Sequence, residues 1–165
     1  MDKNVTFTVN GQLHHIETEA ATPLIYVLRN NIGLTGVRYG CGLEQCGSCM
    51  VLIDGEPAYA CNRAVDSVMG REVLTVEGLH NQGHPLFEAF LAEQAGQCGY
   101  CLSGILINAK ALLDRNSSPS REDIKAALDK NLCRCGAHVR IINACLLYTS
   151  PSPRDLSTSR MPSSA

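Results

Sequence analysis

Nine cysteines stand in a chain of 165 residues, and eight of them fall into two ordered sets of four. The first set is Cys41, Cys46, Cys49 and Cys61, and the second is Cys98, Cys101, Cys133 and Cys135. Two quartets of thiolates suggest two four-coordinate metal sites, and the first has the spacing C-x4-C-x2-C followed by a more distant cysteine, the plant-type [2Fe–2S] pattern. Its loop is rich in glycine at Gly36, Gly40, Gly42 and Gly47. Glycine tolerates positive φ and lets backbone N–H groups approach sulfur with no Cβ in the way, where they can tune an anionic cluster. Zinc is the rival occupant, although zinc ribbons commonly use two short C-x2-C knuckles. The second set, C-x2-C then C-x-C, is less diagnostic and taken alone leaves zinc open. Cys145 belongs to neither set and is expected to ligate nothing.

The elements that must position these residues change character along the chain. Val5–Val9 alternates like a strand, and Asn10-Gly11 signals a hairpin returning through Leu13–Glu17. Thr22 is positioned to cap a helix with Pro23 at its first turn, running through Leu24, Ile25, Val27 and Leu28. Met50–Ile53, an Asp54-Gly55 turn and Pro57–Ala60 read as a second hairpin ending at Cys61, and Val73–Val76 offers a late strand. Two hairpins, one helix and a late strand suit a β-grasp ferredoxin, though periodicity alone leaves the strand order open. From Gly78 the spacing becomes helical. Pro85 opens one segment, Ile105–Leu113 lies on a second, Ser120 and Asp123 form a variant capping box before a third, and His138–Ala144 begins a fourth. Two helix pairs, each with a cysteine pair in or beside its connection, can hold one cluster between them. The expected class is α+β: a β-grasp ferredoxin-like domain at 1–78, then a small four-helix-bundle [2Fe–2S] domain at 79–145.

Residues 146–165 differ from the rest. They hold six serines and three of the seven prolines and show no structural period. Such a segment is expected to be disordered, and it resembles translated primer or adapter sequence, a sequencing or cloning artefact.

The net charge is −2, with no basic run for nucleic acid. No charged and apolar leader opens the chain, and no apolar run has the roughly 20 residues of a membrane span. The expected location is the cytoplasm, or the periplasm only if a partner carries the folded complex there. Cysteines in a reducing compartment are more often metal ligands than disulfides. His14, His15, His80, His84 and His138 are expected to be bystanders, because each quartet is already full. Arg134 and Arg140 flank the second set and are open to two readings, pairing with a partner subunit or offsetting cluster charge, or a solvated surface, and Arg38 and Glu44 beside the first set are open to the same two. No Ser/His/Asp array or P-loop is present, and no catalytic residue is assigned.

Three runs carry a resemblance: Tyr39-Gly40-Cys41-Gly42-Leu43-Glu44-Gln45-Cys46-Gly47-Ser48-Cys49, Gln97-Cys98-Gly99-Tyr100-Cys101, and Asn131-Leu132-Cys133-Arg134-Cys135-Gly136. Together they look like the iron–sulfur subunit of the molybdenum hydroxylases, the xanthine oxidase and aldehyde oxidoreductase family. The resemblance covers roughly Val5 to Ala144. It implies an outer cluster in the β-grasp domain and an inner cluster in the helical one, near a molybdopterin bound by a separate large subunit. Gln97 is similar to the glutamine that hydrogen-bonds the pterin, and Cys135 matches the ligand that links the inner cluster to it. Electrons would pass from molybdenum through both clusters to an acceptor, whether a haem-bearing cytochrome, a ferredoxin or an FAD subunit. The form Cys135-Gly136-Ala137-His138 looks more like the isoquinoline or nicotinate dehydrogenase branch than the CTGY-like continuation of other members. Two other functions compete on the residues alone. A free ferredoxin-like carrier would need no second cluster domain, and a zinc-stapled interaction module would be colourless.

Overall fold

The computed structural model describes residues 2–149. β1 (Asp2–Val9) and β2 (Gln12–Glu19) form the first hairpin, with Val9 opposite Gln12. Asn10 and Gly11 take φ of 51° and 79° between them. That left-handed pair gives the two-residue turn whose twist matches its strands. Alternate residues Val5, Phe7 and Val9 face the core, as the period of two requires.

α1 (Leu24–Tyr26) follows and widens into a π turn over Val27–Asn31. Thr22 does not cap it. Pro23 is held in extended backbone by a bridge to Ala64, and the Leu24 N–H is satisfied by the Arg63 carbonyl at 2.7 Å. A backbone carbonyl thus takes the place expected of the Thr22 hydroxyl, which lies 3.2 Å from that of Thr18.

β3 (Met50–Ile53) and β4 (Glu56–Tyr59) make the second hairpin, and β5 (Glu72–Leu74) completes the sheet. The strand order is β2-β1-β5-β3-β4, with β5 parallel to β1 and antiparallel to β3. This is the β-grasp arrangement. Phe7, Leu24, Ile25, Leu28, Val51 and Val73 close its core, each buried side chain contributing about 1.5–3 kcal/mol of transfer free energy.

The helical unit comprises α2 (Val76–Asn81), α3 (Leu86–Ala92), α4 (Leu102–Arg115), α5 (Arg121–Leu128) and α6 (His138–Thr149). α2 is not legible in the sequence, and the boundary expected after Gly78 cuts through it. Its Leu79 is fully buried among the helices. The capping box of α5 is present: the Asp123 N–H donates to Ser120 Oγ at 3.2 Å, and the Ser120 N–H donates to Asp123 Oδ2 at 2.8 Å. α6 runs past Ala144 to Thr149, with Leu146 and Leu147 packed on the helical core. The patternless segment expected from Leu146 is therefore helical for its first four residues. The rest of it, residues 150–165, lies outside the described residues.

α4 explains why the two units form one body. It is apolar nearly all round, the signature of a helix buried on several sides. Ile105, Leu106, Ala109 and Leu113 pack among the helices, whereas Ile107 and Ala111 pack against Met50 and Leu52 of the sheet. The approach is close enough that a Cβ on Gly104 would lie 1.8 Å from the Gly47 carbonyl oxygen. Arg115 forms an ion pair with Glu56 at the edge of this seam.

Candidate metal centres

The first quartet lies on the loop that leaves α1 and enters β3, with Cys61 just beyond β4. The Cys41 sulfur accepts from the N–H groups of Leu43, Gln45 and Cys46 at 3.3, 3.3 and 3.4 Å. The Cys41 N–H in turn donates to Cys46 Sγ at 3.3 Å. Burial works against the Cys41 thiolate, but these three N–H groups outweigh it and bring the thiol down to about 7. A Cβ on Gly40 would fall 2.6 Å from Cys46 Sγ, so the loop makes a cradle that only glycine leaves open. The Ser48 hydroxyl, itself buried, sits 3.7 Å from the same sulfur. Cys49 and Cys61 lie deeper, 1% and 5% exposed. Burial, reinforced by the adjacent Cys61 thiol, pushes Cys49 up to about 12.

The second quartet is assembled from two turns, one before α4 and one before α6. Cys98 is exposed and Cys101 is buried. The Cys98 thiol is lowered by the Tyr100 N–H and by Cys135. Cys101 is pushed up to about 12 by burial, with the neighbouring Cys133 thiol adding to it. At Cys133 burial is overcome by the Ala137 N–H, the Cys101 thiol and the Cys135 and Gly136 N–H groups, and its thiol lies below the usual range.

Within each set the thiols influence one another's ionisation, Cys46 at Cys41, Cys61 at Cys49, Cys135 and Cys133 at Cys98, and Cys133 and Cys98 at Cys101. Four thiols in each set, with the Leu43, Gln45 and Cys46 N–H groups aimed at the Cys41 sulfur, suit an anionic iron–sulfur group.

Gln97 lies beside the second quartet and donates from Nε2 to the Cys135 carbonyl at 3.3 Å. Cys145 lies in α6, 1% exposed in the helical core, and burial alone raises its thiol to about 12. Three histidines are engaged locally: His15 with Thr6, His80 against Phe87, and His84 stacked on Tyr148.

What the sequence did not reveal is how the two cysteine loops join. The Leu132 N–H donates to the Cys46 carbonyl at 3.0 Å, and Tyr100 Oη donates to the Tyr39 carbonyl. Asn131, 3% exposed, donates from Nδ2 to the Gly47 carbonyl at 3.2 Å and accepts from Asn108 Nδ2 at 2.5 Å. Asn108 interrupts the apolar stretch of α4, and a polar residue on an otherwise buried helix was the one available signal for this contact.

A β-grasp sheet and a helical unit, each presenting a set of four free cysteines, define a protein of the two-cluster iron–sulfur class. Comparison with known proteins agrees. The family described as "2Fe-2S iron-sulfur cluster binding domain" matches residues 7–75, and "[2Fe-2S] binding domain" matches residues 75–146. The chain is 47% identical over 146 residues to a subunit of nicotinate dehydrogenase from Pseudomonas putida, covering 87% of this chain and 93% of that one. It is 45% identical over 139 residues to the alpha subunit of isoquinoline 1-oxidoreductase from Brevundimonas diminuta, covering 83% and 91%. The crystal structure of quinoline 2-oxidoreductase from Pseudomonas putida 86 superimposes with a TM-score of 0.85 at 34% identity, covering 96% of each chain. The chain belongs to the family of small iron–sulfur subunits of the molybdenum hydroxylases. Its role is electron transfer within an oxidoreductase complex. Among the described residues no helix is long and apolar enough to cross a membrane.

Proposed function

We propose that Cys41, Cys46, Cys49 and Cys61 hold an outer [2Fe–2S] cluster in the β-grasp domain, and that Cys98, Cys101, Cys133 and Cys135 hold an inner one in the helical domain. The observation that supports this reading is the cradle at the first set, where the Leu43, Gln45 and Cys46 N–H groups reach the Cys41 sulfur at 3.3, 3.3 and 3.4 Å and Gly40 leaves no room for a Cβ beside Cys46 Sγ. When bound, such clusters supply one-electron carriers between the molybdopterin of a large partner and an acceptor bearing FAD or haem. The names of the relatives suggest that the complex acts on a nitrogen heterocycle of the nicotinate or isoquinoline kind. Its proposed location is the cytoplasm.

The chain's own residues have separable tasks in this reading. Buried Cys49, Cys61 and Cys101 anchor the inward side of each site and keep water from it. Exposed Cys41 and Cys98 mark the open sides. Gln97 keeps one amide hydrogen on the Cys135 carbonyl, leaving its second hydrogen and its oxygen for the pterin. The Leu132–Cys46 hydrogen bond joins the residue before Cys133 to a candidate ligand of the other quartet, so the two sites share one short stretch of backbone.

The test is to purify the tagged chain from its native host and measure molybdenum in the material it brings down. About one molybdenum per chain, held by a larger co-purifying protein, is expected. Recovery of the iron-loaded chain alone, in full yield and without molybdenum, would leave a free carrier in its place.

A further inference from the structure

Three successive carbonyls of the outer loop are held by donors from the helical unit. Cys46 O accepts from the Leu132 N–H at 3.0 Å, Gly47 O from Asn131 Nδ2 at 3.2 Å, and Ser48 O from Ser103 Oγ at 3.4 Å. Asn131, Ser103 and Ser48 are all buried. The middle contact leaves no room for adjustment, because a Cβ on Gly47 would meet Asn131 Nδ2 and the Lys130 carbonyl at 2.4 Å. In a planar trans peptide the C=O and the following N–H point in opposite directions. Anchoring these carbonyls therefore turns the N–H groups of Gly47, Ser48 and Cys49 away from the helical unit. Among the described residues those three N–H groups have no acceptor. An anion held by this loop is the partner left for them, and a hydrogen bond accepted at the carbonyl polarises the peptide and strengthens its N–H as a donor.

We infer that Asn131 is a positioning residue for the outer cluster. It stands two residues before Cys133, in the helical unit, yet together with the Met50 N–H, which reaches the same Gly47 carbonyl at 3.3 Å, it fixes the orientation and raises the donor strength of the loop that would carry the other cluster. Asn108 completes the device by fixing the Asn131 amide through its Oδ1. Donors aimed at a cluster favour its more negative, reduced form, so loosening Asn131 lowers the outer cluster's potential. The inference rests on the two-cluster reading. A zinc content would remove that reading, whereas clusters present with unshifted potentials would remove only this one.

The experiment follows both clusters by EPR while the potential is stepped, in the intact complex and in Asn131→Ala and Asn108→Ala. The outer signal is identified as the one lost in Cys46→Ser. Asn108 touches neither quartet, so its variant is the cleaner test, and it decides the matter should Asn131→Ala fail to load iron. The expected result is a fall of the outer midpoint in both variants, larger for Asn131→Ala and approaching a tenfold change in the oxidised-to-reduced ratio, about 59 mV for one electron. The inner midpoint should hold in Asn108→Ala. An outer midpoint and line shape unchanged in Asn108→Ala with full iron, or a shift confined to the inner signal, would overturn the assignment.

Discussion

The two cysteine quartets solve the same problem with opposite chain economies. At Cys41 three backbone N–H groups, from Leu43, Gln45 and Cys46, reach the sulfur, whereas at Cys133 the nearby Ala137, Cys135 and Gly136 N–H groups lower the thiol below its usual range. The first keeps Cys41 and Cys46 toward the surface and Cys49 and Cys61 deep, whereas the second keeps only Cys101 deep. In the first quartet, three cysteines share one loop between Cys41 and Cys49, so local turn geometry builds most of the site. In the second, the two turns are separated by α4 and α5, and the site exists only while those helices pack. The first is a folded loop and the second a property of a helical core.

The largest effect should come from breaking one quartet at a time. Cys46→Ser is expected to lose the outer cluster alone and Cys101→Ser the inner alone, each variant retaining about two of roughly four iron per chain. Iron analysis with EPR reads this. Loss of both clusters from either change would make the quartets one cooperative site.

The dependence of the second quartet on packing is sharpened by Ile124→Ala. Ile124 is fully buried in α5, and such truncations cost about 2–5 kcal/mol. On slow heating the inner-cluster signal should bleach before the outer one. Simultaneous bleaching would show that the helical site is no more dependent on packing than the loop.

Gly104→Ala probes the seam the units share. Alanine gains about 1 kcal/mol of helix propensity, but its Cβ would meet the Gly47 carbonyl, which is backbone and cannot swing aside. Overpacking costs about 1–3 kcal/mol, and with an immovable neighbour the upper end should win. The expected result is a lower midpoint of thermal unfolding, with both clusters affected together. The smallest effect should belong to Cys145→Ala, which removes a buried thiol outside both quartets and should leave the iron content unchanged.

What could be read from the sequence follows from how local each feature is. The strands of both hairpins and the α5 capping box are written in short windows, and they appear where those windows place them. α1 is less legible. Its start is decided by Pro23 pairing with Ala64, a contact across many residues that no local cap signal reports. α2 is hidden because one buried Leu79 and a mixed flank give too short a helical pattern. The end of α6 escapes a local reading because Leu146 and Leu147, the first residues of a Ser- and Pro-rich run, pack on a core that the composition of that run does not reveal. The seam at Gly47, Gly104 and Asn131 depends on three distant segments meeting. Only the odd polar Asn108 hints at it.

The central claim is that the two cysteine sets hold two iron–sulfur clusters, and metal analysis tests it most directly. Iron, zinc and acid-labile sulfide should be measured per chain on anaerobically purified protein, together with a visible spectrum. About four iron and four sulfide with broad visible absorption is the predicted result. About two zinc and no sulfide, in protein from iron-replete cells, would contradict it.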